Sequence, residues 1–148
     1  MKKVLLLFLL PLFLTAQNKS STENNWLTNY EEALKIAKKE KKNIVMYFTG
    51  SDWCPPCKML KKELFSTQEF KTLAKNYVLL YVDVPRNARL LTPELMVHNK
   101  ALLKKWNKKG VFPLFKILNN KEILVDELSG YTMNGKIQFH LNLLKKHQ

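Results

Sequence analysis

Cys54 and Cys57, the two cysteines of this 148-residue chain, flank a pair of prolines in the run Trp53-Cys54-Pro55-Pro56-Cys57. Thiols at that spacing can close a reversible disulfide or share a metal ion, and the thiolate is the working form in both cases. A disulfide over so short a loop removes little entropy from the unfolded chain, which argues against a purely structural bond. A closed zinc site needs four ligands, of which the pair supplies two. His98, His140 and His147 show no paired ligand spacing. They read as ordinary helix-surface or boundary residues, with His147 in a terminus expected to fray. No metal and no bound cofactor are expected. A metal-binding module using Cys54 and Cys57 stays as the alternative to a redox pair, and a redox-inert interaction module would have no use for such a pair.

The elements that must hold the pair can be read from periodicity. Leu27, Tyr30, Leu34 and Ala37 recur at helical spacing behind a Thr28–Glu31 capping box, predicting a helix that runs to about Lys41. Ile44 to Phe48 is apolar at every position, as in a strand buried on both faces. Gly50, Ser51 and Asp52 then turn the chain, and Met59, Leu60 and Leu64 continue with helical period. A second capping box, Ser66 to Glu69, predicts a bend or break near Phe65. Val78 to Val82 reads as a second buried strand, and residues 85–92 as a loop.

Thr92-Pro93 is a cap followed by a proline at the first helical position, and the apolar face through Leu95, Leu102, Leu103 and Trp106 continues until Gly110. Leu114–Leu118 and Glu122–Val125 flank Asn119-Asn120-Lys121 as a hairpin, and a last helix carries Ile137, Phe139, Leu141 and Leu144. Two early strands joined by a helix should run parallel, with the hairpin adding an antiparallel edge. The class is α/β, a mixed sheet with helices on both faces. Trp26, Trp106 and the phenylalanines are assigned to the core.

Lys2 and Lys3, the apolar run Val4–Leu14 and Thr15-Ala16-Gln17 have the order of a secretory signal. The run is shorter than the roughly 20 residues of a spanning helix. Residues 1–16 are therefore read as a signal peptide, 17–25 as a flexible leader and 26–148 as one domain, placed in the periplasm or otherwise outside the cytoplasm. The net charge of +13 lies largely in lysine runs such as Lys38-Lys39 and Lys145-Lys146. They suit solvated faces and helix C-termini, and no nucleic-acid partner is expected.

Cys54 falls where a strand ends and a helix begins, so unpaired N–H groups and the positive helix end favour its thiolate. Pro55 and Pro56 remove two possible donors to sulfur, while Cys57 keeps its own N–H. Cys54 is expected to be exposed and Cys57, one turn on, to be less so.

Trp53-Cys54-Pro55-Pro56-Cys57-Lys58 resembles the active-site segment of the thioredoxin superfamily, and Gly110-Val111-Phe112-Pro113-Leu114 resembles the segment that supplies its cis-proline. The likeness runs over about residues 27 to 146 and is greatest to exported members whose motif follows Thr49-Gly50-Ser51-Asp52-Trp53. It implies a thioredoxin-like three-layer sandwich with a mixed four- to five-stranded sheet. It also implies a thiol-disulfide oxidoreductase with Cys54 as nucleophile, Cys57 as resolving thiol and Trp53 as a shield, and with Phe112-Pro113 as the edge that receives a substrate strand. The implied partners of what is expected to be a monomer are exported proteins with disulfides or thiols and a membrane-associated thiol donor or acceptor. The Pro55-Pro56 dipeptide, unlike the Gly-Pro of reducing thioredoxins or the Pro-His of strong oxidants, leaves the direction of exchange open, with reduction or isomerisation slightly favoured. Where the superfamily often has a buried acid, Tyr47 and Phe48 stand here. A proton acceptor for Cys57 is accordingly sought in water, Asp52 or Glu63.

Overall fold

A computed structural model describes residues 25–148. The expected signal peptide and nearly all of the expected leader lie outside the described residues. The elements run α1 (Tyr30–Glu40), β1 (Asn43–Thr49), α2 (Pro55–Leu64), α3 (Gln68–Ala74), β2 (Tyr77–Asp83), α4 (Pro93–Trp106), β3 (Leu114–Leu118), β4 (Leu124–Ser129) and α5 (Gln138–Lys146). The four strands form one sheet in the order β2-β1-β3-β4, with β1 parallel to β2 and antiparallel to β3, and β3 antiparallel to β4.

The unbroken apolar run of β1 is explained by its central place. Its odd residues Val45 and Tyr47 face one core with Leu60, Leu64, Phe70, Phe115 and Leu141. Its even residues Ile44, Met46 and Phe48 face the other, with Ala33, Ala37 and Leu102. Thus α2, α3 and α5 cover one side and α1 and α4 the other, the three-layer α/β arrangement expected from the sequence. Trp26 is buried as expected, whereas Trp106 is only partly so.

Several local boundaries shift. The cap of α1 is Asn29, whose side chain accepts from the Glu32 N–H, one residue beyond the expected Thr28. Leu27 leaves the helix and forms a parallel bridge with Leu80 at the outer edge of β2. The break near Phe65 is present, but Thr67 caps α3 while the Ser66 hydroxyl donates back to the Lys62 carbonyl. Thr92 and Pro93 open α4 as anticipated, though the helix ends at Trp106 rather than at Gly110. β4 begins at Leu124, because Glu122 takes a left-handed turn conformation with φ 63°. The last turns of α1, α4 and α5 carry Lys38 and Lys39, Lys104 and Lys105, and Lys145 and Lys146, where cations complement the helix dipole.

Candidate active site

The C-terminal end of β1 delivers the cysteine motif. The Gly50 carbonyl accepts from the N–H groups of Trp53 and Cys54, closing the turn, and Cys54 is then the N-cap of α2 in an extended conformation. Pro55 and Pro56 fill the first helical positions, where an N–H would have no helical acceptor. Cys54 and Cys57 are joined by a disulfide, their Cα atoms 5.3 Å apart. The Cys57 N–H donates to Cys54 Sγ at 3.3 Å, the one donor that the two prolines leave in that turn.

The expected contrast in exposure is not observed. Cys54 is 3% and Cys57 1% exposed, so both cysteines of the disulfide are buried. What distinguishes Cys54 is its place at the helix cap, with a backbone donor aimed at its sulfur.

Two distant segments meet at Trp53. Its ring packs edge-on against Phe112 at 5.0 Å, and its indole N–H donates to the Val84 carbonyl at 2.8 Å. The Phe112-Pro113 bond is cis. Pro113 is buried and its carbonyl accepts from the Gly130 N–H at 2.8 Å, while Asn107 exchanges two hydrogen bonds with the backbone of Val111. Phe112 is thus held between two fixed residues, with its ring on that of Trp53.

Further hydrogen bonds tie the motif to the end of β2 and to the loop that follows it. Asp83, buried, accepts from the Ser51 N–H at 2.9 Å and the Ser51 hydroxyl at 2.6 Å. The Asn99 amide donates to the Asp83 carbonyl, bringing α4 into the same junction. The Asp52 carboxylate accepts from the N–H groups of Asn87 and Arg86, which hold it below the usual carboxylate range. An acid closing a buried strand was the available signal for Asp83. Glu63 is likewise engaged, accepting from the Tyr131 hydroxyl. Beneath the motif, the Tyr47 hydroxyl donates to the Cys57 carbonyl, and burial pushes that phenol well above its ordinary range.

The histidines stand apart from the cysteines. His98 accepts from the Tyr30 N–H. His140 is a correction: it is 3% exposed, within the core against Phe115 and Tyr131, because α5 turns it toward β3. His147 is tied down, its ring on Asp126 and its carbonyl accepting from Asn43. Among the described residues no group of three or more His, Cys, Asp and Glu is placed to hold a metal ion.

A family model described as thioredoxin-like matches residues 25–115. The chain is 30% identical over 120 residues to the thioredoxin-related protein DsbJ of Chlamydia pneumoniae, covering 80% of this chain and 34% of that protein. It is 34% identical over 86 residues to the disulfide bond reductase DsbH of the same organism, covering 57% of this chain and 51% of that one. The chain therefore spans about a third to a half of the length of these curated relatives. A solved structure of a DsbH oxidoreductase superposes with a TM-score of 0.67 at 26% identity, over 81% of this chain and 83% of that one. With the mixed sheet, the disulfide at the head of α2 and the cis-proline segment whose Phe112 touches Trp53, these matches establish that the chain belongs to the thioredoxin-like family.

Proposed function

We propose that this protein is a thiol-disulfide oxidoreductase that exchanges the Cys54–Cys57 disulfide with cysteines of protein substrates. The observation that carries the reading is the disulfide at the N-terminus of α2, with a backbone donor on Cys54 Sγ. In the reduced protein, a Cys54 thiolate attacks a substrate disulfide and forms a mixed disulfide, releasing one substrate thiolate. Cys57 then attacks Cys54 Sγ, restoring the internal disulfide and releasing the second substrate thiolate; two electrons pass from protein to substrate. Trp53 shields the sulfurs, Pro55 and Pro56 shape the helix start, and Phe112-Pro113 receives an extended substrate segment by strand addition.

Reduction or isomerisation is the favoured direction, supported by the reductase named among its relatives. The N-terminal pattern supports a place outside the cytoplasm. Electrons for a reductase there have to cross a membrane, so a membrane-associated dithiol is the proposed donor.

Replacing Cys57 with Ser should trap a mixed disulfide through Cys54, while Cys54→Ser should trap none. The reverse pattern would sink the assignment of roles. The reduction potential decides direction: a value near about −270 mV marks a reductant and one near about −120 mV a strong oxidant.

A further inference from the structure

The chain has two arginines among its 25 basic residues, Arg86 and Arg89, and both lie in the loop that the cysteine motif holds in place. The Asp52 carboxylate fixes the N–H groups of Arg86 and Asn87, and the Asn87 side chain in turn accepts from the Arg89 N–H. The Arg86 guanidinium lies over the Trp53 ring, 4.9 Å from its centroid. Trp53 immediately precedes Cys54 and touches Phe112, so this charge rests on the side chain that joins the disulfide to the proposed substrate edge.

Both arginines are exposed, and among the described residues neither forms an ion pair. Asp52, the acid of this stretch, is turned to backbone N–H groups instead. Arginine is the cation that stacks on an aromatic face while presenting a planar fork to a carboxylate. Lysine, which the rest of the chain uses, has no such fork. In an extended segment, residues one or two places from a cysteine lie within about 7 Å of it along the strand.

We propose that Arg86, seconded by Arg89, is a specificity residue that pairs with acidic side chains flanking the cysteine of a protein substrate. This rests on the disulfide-exchange reading above and narrows its substrate class to cysteines set in acidic segments. The guanidinium is held before substrate arrives, so pairing costs little side-chain ordering.

The test uses the reduced full chain and three C-terminally amidated peptide disulfides, with Asp, Gln or Lys on both sides of the cysteine. Amidation leaves side-chain carboxylates as the acids that differ. Each rate is divided by the rate with dithiothreitol, which cancels the effect of flanking charge on the peptide's own sulfur. The Asp peptide should react about fourfold faster than the Gln peptide, equivalent to about 0.8 kcal/mol at 1.4 kcal/mol per factor of ten. That ratio should fall below about twofold in Arg86→Gln and near 1 M salt, where the Debye length is about 3 Å. Arg86→Gln keeps the backbone N–H that Asp52 holds, so the loop remains anchored. Equal wild-type rates for the Asp and Gln peptides would overturn the arginine assignment and leave exchange standing. An Asp preference kept in both Arg86→Gln and Arg89→Gln would overturn it too, moving the effect to the surrounding lysines. Failure to exchange with any peptide would remove the underlying reading itself.

Discussion

The Tyr47 hydroxyl donates a 3.1 Å hydrogen bond to the carbonyl oxygen of Cys57, linking the middle of β1 to the first turn of α2. Tyr47 is fully buried and ringed by Trp26, Phe65, Tyr81 and Phe115. Burial holds the phenol protonated far above neutral pH, so it acts as a donor that steadies the helix start and is no proton acceptor for Cys57. Tyr47→Phe keeps the ring and removes one buried hydrogen bond, expected to cost about 1 kcal/mol of stability. Insulin-disulfide reduction by the folded variant should stay within about threefold of wild type. A loss beyond about tenfold, about 1.4 kcal/mol in the barrier, would make the hydroxyl part of the chemistry.

Gly50 lies directly under the Trp53 indole, and a Cβ built at Gly50 would overlap the ring at Cε2 and Nε1. Gly50→Ala must therefore displace the indole and weaken its bond to the Val84 carbonyl and its contact with Phe112. The variant should fold, since the strain is relieved by one partly exposed side chain. Its tryptophan emission should shift to the red and its peptide-disulfide rate should fall by about threefold to tenfold, a barrier change of about 1 kcal/mol. Unchanged emission and rate would show that Trp53 does not depend on this close approach.

Much of this site could be read from the residues, and the failures have a common cause. β1 and β2 were legible because a strand buried on both faces needs an apolar side chain at nearly every position, as Ile44–Phe48 and Val78–Val82 show. Thr92-Pro93 was legible because cap and proline act locally. Where two neighbouring residues can both cap, as Thr28 with Asn29 or Ser66 with Thr67, tertiary packing selects one. The bonds between Ser51 and Asp83 and between Tyr131 and Glu63 join residues 32 and 68 positions apart, which no local pattern encodes.

His140 offers a pH test of the core. Both ring nitrogens are buried without a hydrogen-bond partner among the described residues, and burial pushes the imidazole down to about 4. The unfolded chain protonates this side chain near pH 6.5, so below that pH it binds the extra proton and gains on the folded state. The contribution is present in full above about pH 6.5 and is lost as pH falls toward 4. Between pH 7 and pH 5 the loss is about 2 kcal/mol. His140→Phe, which keeps a flat ring against Phe115 and Tyr131, should remove most of that slope in urea unfolding measured at the two pH values. The same slope in the variant would assign it to other groups.

Asn107 supports the proposed substrate edge and gives a second structural test. Its amide donates to the Val111 carbonyl at 2.8 Å while its oxygen accepts from the Val111 N–H at 3.0 Å, so a single buried side chain satisfies both backbone groups of Val111. Two residues later Pro113 is anchored by Gly130, leaving Phe112 in a short span fixed at each end. Asn107→Ala removes both bonds, for an expected cost of about 1–3 kcal/mol. Asn107→Asp keeps the acceptor and loses the donor, so the Val111 carbonyl faces an oxygen. Loosening this span should raise KM for a peptide disulfide by about threefold to tenfold in both variants, with kcat changed less than twofold because the cysteine turn is built from other residues. Dithiothreitol, which needs no strand edge, should be oxidised by the variants' disulfide at the wild-type rate. An equal loss with peptide and with dithiothreitol would trace the defect to the cysteines and remove Asn107 from substrate binding.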